Sequence, residues 1–167
     1  MRPVTRRAAW PEDAQNIAPK HRSGWHEAYA GLVPQRCLDD LDAQERVARW
    51  RERLARAGDT TTVALHNGRL VGLATVGPRE DAPHLPPEEL RSRYVVRAMW
   101  GHGIGRALVL QVLGQRPASL WVFEGHDPAR AFYALAGWQP TGERRLDTWT
   151  EIPELRLVRQ VGGPDGT

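Results

Sequence analysis

The sequence predicts an α/β fold, a mixed and largely antiparallel sheet flanked by helices, in a single domain over residues 1–161. Three observations lead there. Apolar and β-branched runs of strand length alternate with amphipathic stretches of helix length, in the order βααββ, βαβα, ββ. Asn67-Gly68 joins two such runs, the short-range mark of an antiparallel hairpin. The run Trp100-Gly101-His102-Gly103-Ile104-Gly105 stands between a strand and a helix. With 167 residues the chain can bury one core, and 41% hydrophobic residues with a net charge of +3 set it apart from disordered chains.

Taken in order, residues 3–10 form a first strand that Pro11 ends. Glu12 and Asp13 favour a helix start, and the helix runs to about Ala30 with a break or kink at Pro19. A second helix covers residues 39–57, with Val47, Trp50 and Leu54 as its apolar stripe and Gly58 at the C′ position. Residues 60–65 and 70–76 are the hairpin strands. The proline-rich and acidic segment from Gly77 to Glu88 is a loop. Residues 89–97 form a strand, and 104–113 a helix whose Ile104, Leu108 and Val112 share one face. Residues 120–123 form a buried strand. Asp127 as N-cap and Pro128 at N1 open the last helix, and Gly137 closes it. Strands over 138–145 and 154–161 follow, then a disordered tail over 162–167.

Composition narrows the function. No run of about 18 apolar residues exists, and the arginine-containing N-terminus has no apolar signal core, so the expected compartment is the cytoplasm, with no membrane partner. One cysteine, Cys37, excludes an internal disulfide, and the histidines lack metal-ligand spacing, so no metal is expected. Basic residues interleave with acids, as in RWRERLARAGD, which reads as a solvated helix face and not a nucleic-acid surface.

The glycine-rich turn carries the sharpest chemical signal. A helix N-terminus leaves backbone N–H groups unpaired at the positive end of the dipole, and glycines let a ligand approach them. Such a turn suits a pyrophosphate, with Arg106 adding charge. It is not a dinucleotide fingerprint, because Arg106 stands where a third glycine belongs. Nor is it a P-loop, since no lysine follows. A tight turn without a ligand is the alternative.

Residues 89–113 resemble the acetyl-CoA-binding motif A of the GNAT superfamily of N-acetyltransferases: a strand, Q/R-x-x-G-x-G/A, then a helix. Gly103 and Gly105 match its small positions, and Trp100 replaces Gln or Arg. The stretch LWVFEGHDPARAFYALAGWQPTG resembles motif B, with Ala129, Phe132, Tyr133 and Gly137 matching, Trp138 for Phe and His126 for Asn. Residues 25–34 are similar to the first-helix region of small bacterial-type members.

The resemblance implies direct acetyl transfer from acetyl-CoA to a primary amine of a small molecule or peptide, in a protein for which a homodimer is compatible. It implies cofactor contacts at Arg93, Val95, Trp100, Gly101, His102, Gly103, Ile104, Gly105, Arg106, His126, Ala129 and Tyr133. The main-chain N–H groups of Arg93 and Val95 would hold the pantetheine and the acetyl carbonyl. Tyr133 would be the general acid that protonates the leaving thiolate, and Glu89 the base. A base is useful because a lysine-like amine is only about one part in a thousand neutral near pH 7.4. Trp25 and Tyr29 would line the acceptor cleft. The rival readings are a non-catalytic acyl-CoA-binding module, which the departures at Trp100 and His126 feed, and a nucleic-acid-binding domain.

Overall fold

A computed structural model of the chain describes residues 3–39 and 42–160. The first strand, β1 (Val4–Ala8), leads through a 3-10 turn into helix α1 (Ala14–Tyr29). Helices α2 (Gln35–Asp39) and α3 (Ala43–Ala55) follow, then the hairpin β2 (Thr60–His66) and β3 (Arg69–Pro78). Next come β4 (Glu88–Val95), α4 (Ile104–Leu113), β5 (Ala118–Phe123), α5 (Asp127–Leu135), β6 (Gln139–Leu146) and β7 (Pro153–Arg159). The strands make one seven-stranded sheet in the order β1-β2-β3-β4-β5-β7-β6. Every neighbouring pair is antiparallel except β4 and β5.

Local chemistry explains most boundaries. Asn67 and Gly68 take φ of 51° and 73°, the left-handed values that this hairpin turn needs. Asp42 caps α3 by accepting from the Glu45 N–H at 2.9 Å, and Glu45 reaches back to the Asp42 N–H.

The helices divide between the two faces of the sheet. Helices α1 and α3 bury Ile17, Trp50, Val63 and Leu73 on one face. On the other, α4 and α5 bury Leu108, Val112, Ala129 and Tyr133 against Val71, Val95 and Leu120.

Several expected boundaries shift. Helix α1 runs unbroken past Pro19, which is exposed along with Gln15, so the carbonyl that loses its partner can be served by water. The expected helix over 39–57 is two helices: Asp39 ends α2, and α3 starts after the Asp42 cap. Gly58 takes φ 84° but lies two residues beyond the Arg56 C-cap, not at C′. Asp127 is the first residue of α5 and His126 its N-cap, so the predicted start is one residue late. Arg97 leaves β4 for a 3-10 turn. The tail expected to be disordered lies outside the described residues, as does Val161.

Candidate active site

The site grows from a break in the sheet. Strands β4 and β5 pair in parallel at Glu89 and Ser119, and no further rung follows among the described residues. Beyond that rung the strands part, and a cleft of about 870 Å³ opens between residues 90–95 and 121–123. The Val96 N–H donates to Val71 O of β3 at 2.9 Å. Alternation along a strand therefore turns the N–H groups of Val95 and Arg93 to the opposite edge, the unladdered one facing the cleft. Trp100 fastens the turn to this edge, donating from Nε1 to Val95 O at 2.8 Å. This indole bond closes the loop where the motif has Gln or Arg.

The turn meets the requirements for an anion. Gly101 and Gly103 take φ of 76° and 72°, and a Cβ at either would meet no atom within 4 Å. Gly103 is the N-cap of α4 and offers no side chain to the helix, so its first N–H groups stay open to a ligand. Gly103, Ile104, Gly105 and Arg106 line the cleft. His102 does not; its Nδ1 lies 2.9 Å from Trp100 O, within the turn itself.

From α5, Tyr133 brings a buried ring to the cleft, packed edge-on against Phe132 and Trp138. The Arg93 side chain meets it there. Its guanidinium lies 3.8 Å above the Phe132 ring, and Nε donates to the Tyr133 hydroxyl oxygen at 3.4 Å. The phenol oxygen thus accepts from Arg93, leaving its own O–H to donate elsewhere. His126 and Ala129 line the same wall. Burial first, and Arg93 second, hold the His126 imidazole below its ordinary pKa, so it is neutral at pH 7.

An aromatic group faces this wall. Trp25 and Tyr29 of α1 pack edge-on at 4.7 Å, and Tyr29 also meets Phe123 and His126 at 5.2 and 5.1 Å. Burial pushes the Tyr29 phenol up to about 12, with Tyr133 adding to the effect, so Tyr29 stays protonated.

Glu89 sits at the start of β4 but is not part of the cleft wall. Three carboxylates line the cleft among the described residues, Glu27, Asp147 and Glu154; the Glu154 side chain, on β7, is 11% exposed and accepts from Arg145 Nε at 2.7 Å. Burial raises the pKa of Glu89 and of Glu154 above the ordinary carboxylate value, and Asp147, then Glu89, add to the rise at Glu154.

The structure brings the expected turn, Tyr133, Trp25 and Tyr29 to one cleft, and adds Glu154 and the Arg93 side chain to its lining. Helix α3 has the exposed basic face expected of it, and Arg46, Arg49 and Arg53 also border the cleft, because packing of Trp50 against the sheet fixes the rotation of the helix. Cys37 is buried in α2. No helix among the described residues is long and apolar enough to cross a membrane.

A parted parallel strand pair thus opens on an uncapped helix N-terminus beside a buried tyrosine. The profile of the Acetyltransferase (GNAT) family matches residues 25–138, more than half the chain, and the chain belongs to that family. It is 28% identical to the uncharacterized N-acetyltransferase YuaI of Bacillus subtilis, over 97% of this chain and 94% of that protein. Its fold is similar to the PaiA N-acetyltransferase of Thermoplasma acidophilum in complex with coenzyme A, with a TM-score of 0.72 at 14% identity, covering 95% and 99% of the two chains. It is also similar to YncA of Salmonella typhimurium, a putative acetyltransferase solved with its cofactor acetyl-CoA, with a TM-score of 0.68 at 17% identity, covering 99% and 98%.

Proposed function

We propose that the protein transfers the acetyl group of acetyl-CoA directly to a primary amine. The observation that carries this is the junction of the open β4 edge, the uncapped α4 turn and the Tyr133 hydroxyl in one cleft. Acetyl-CoA supplies a thioester whose sulfur leaves as a thiolate. The turn from Gly101 to Arg106 holds the pyrophosphate. The Arg93 and Val95 N–H groups hold the pantetheine and the acetyl carbonyl, with Val95 at the carbonyl. His126 and Ala129 flank the pantetheine arm. Tyr133 donates its hydroxyl proton to the thiolate, and Arg93 steadies the phenol. Glu154 accepts the amine proton, with Glu89 as a second carboxylate behind it. Trp25 and Tyr29 bound the acceptor.

A thermal-shift titration tests the co-substrate. At about 100 times its Kd, a ligand of the native state adds about 2.7 kcal/mol. A domain of this size moves by about 2–4 °C per kcal/mol. Acetyl-CoA and CoA should each raise Tm by about 5–11 °C, and NAD should not. No rise with either CoA species removes the co-substrate.

The two carboxylates separate by rate and by stability. Glu154→Gln should lower kcat about 10²-fold near pH 7. The loss should shrink as pH approaches the pKa of the amine, which then sheds its proton unaided. Equal loss at all pH values would remove Glu154 as the base. For Glu89 the folded-state pKa is raised, so the folded chain holds that proton more tightly than the unfolded one. Its contribution to stability is therefore greatest below the unfolded pKa and is lost as pH rises through the folded one. Glu89→Gln escapes that loss. Its Tm should exceed wild type at neutral pH, and the advantage should vanish towards about pH 4. A lower Tm than wild type at neutral pH would show that Glu89 is held by its ion pair with Arg91, at 3.9 Å, instead.

A further inference from the structure

The face of α3 turned to the cleft carries three arginines. Arg46, Arg49 and Arg53 recur at the spacing of one helix face, and with Arg22 of α1 they line the cleft. Several other arginines meet carboxylates: Arg91 pairs with Asp59, Arg145 with Glu154, and Arg156 with Asp81 and Glu143. No ion pair joins Arg22, Arg49 or Arg53 to a carboxylate among the described residues. Arg53 is placed, its guanidinium 5.2 Å from the ring centre of buried Trp50. Burial and the neighbouring Arg49 both lower the Arg53 pKa. His21, between α1 and α3, supplies no counter-charge. Burial, then Arg53 and Arg46, hold it down to about 3, and its Nε2 accepts from Trp25 at 3.1 Å.

The place of these arginines decides which ligand they suit. Helix α3 packs with α1 on one face of the sheet, whereas the α4 turn belongs to the other. Arg22, Arg49 and Arg53 are therefore on the acceptor side, and the phosphates of the co-substrate have their own turn with Arg106. The same cleft carries Glu154 beside the aromatic wall. Among the described residues seven arginines line it against three carboxylates, Glu27, Asp147 and Glu154, so its lining carries a surplus of positive charge.

We infer that the acceptor is a dipolar molecule, an amine that also bears a carboxylate or phosphate, whose anion is bound by Arg22, Arg49 and Arg53 while its amine faces Glu154 and Tyr133. This rests on the acetyl-transfer reading above. It disfavours polyamines, which would bring positive charge against the arginines.

The test is a thiol-release panel at saturating acetyl-CoA. Straight-chain ω-amino acids from glycine to 6-aminohexanoate are each compared with the matching alkylamine. O-phosphoethanolamine is compared with ethanolamine, and cadaverine stands for a polyamine. The anion-bearing member of the best pair should exceed its partner at least about tenfold in kcat/KM, chiefly through KM. Whether the carboxylate or the phosphate series leads distinguishes the two anions. The double variant R49E/R53E should abolish that preference and move it towards cadaverine, while the acetyl-CoA thermal shift persists. A best acceptor that is uncharged or dicationic overturns the inference, as does a preference unchanged in the folded double variant. A panel silent throughout, with the acetyl-CoA shift intact, also overturns it and leaves the co-substrate reading standing. Loss of that shift in the wild type is the separate failure of the reading beneath.

Discussion

Tyr133→Phe should lower kcat by about 10²–10⁴-fold, the range of a positioned general acid, with acetyl-CoA binding close to wild type. The substitution removes one oxygen and keeps the ring, so the edge-on packing with Phe132 and Trp138 survives. The bond it deletes inside the protein is the 3.4 Å contact from Arg93, at the long end of the range. Loss of such a bond costs about 1 kcal/mol or less. A fall of two or more orders of magnitude with Tm nearly unchanged therefore assigns the hydroxyl to chemistry and not to folding. Steady-state thiol release at saturating acetyl-CoA, beside a thermal melt, separates the two. If the phenylalanine variant keeps the wild-type rate, another donor protonates the thiolate.

Leu108→Ala should give the largest loss of stability, about 2–5 kcal/mol, or about 4–20 °C in Tm. Leu108 is fully buried at the centre of α4, and it abuts Gly72 of β3, where a Cβ would come within 3.1 Å of its Cδ1. The strand and the helix thus meet side chain against backbone, and little around that contact can collapse to fill a cavity. The consequence reaches function, because the same contact pins the helix whose N-terminal turn receives the co-substrate. Acetyl-CoA should recover part of the lost stability by binding only the native state. A melt within about 2 °C of wild type would mean that α4 does not rely on Leu108 to dock.

Much of this architecture was legible in the sequence. The Asn67-Gly68 turn, the glycine-rich turn before α4 and Gly137 at the end of α5 each act through their own backbone, and local preferences carried them into the fold. The helix starts near Asp42 and Asp127 were seen only approximately, since capping depends on a single residue's ψ and several acidic residues compete for the position. Tyr133, Trp25 and Tyr29 were singled out through the resemblance of their segments to the family's motifs, and the fold brings all three to the cleft.

The rest had no local signal. Glu154 reaches the cleft from β7 because β7 pairs with β5, bringing Glu154 opposite Phe123. The basic α3 stripe is exposed, as its composition suggests, but RWRERLARAGD carries no signal that the same stripe borders a cleft. Trp50 settled the matter by packing on the sheet and setting the rotation of the helix. Glu89 lay at the strand position expected of a base, yet the cleft opens only beyond its rung with Ser119. Sequence by itself determined the turns, the order of elements and the residues whose chemistry is short-range. Tertiary structure alone decided which charges share a cleft, because burial and pairing between distant segments, not neighbours in the chain, set each group's surroundings.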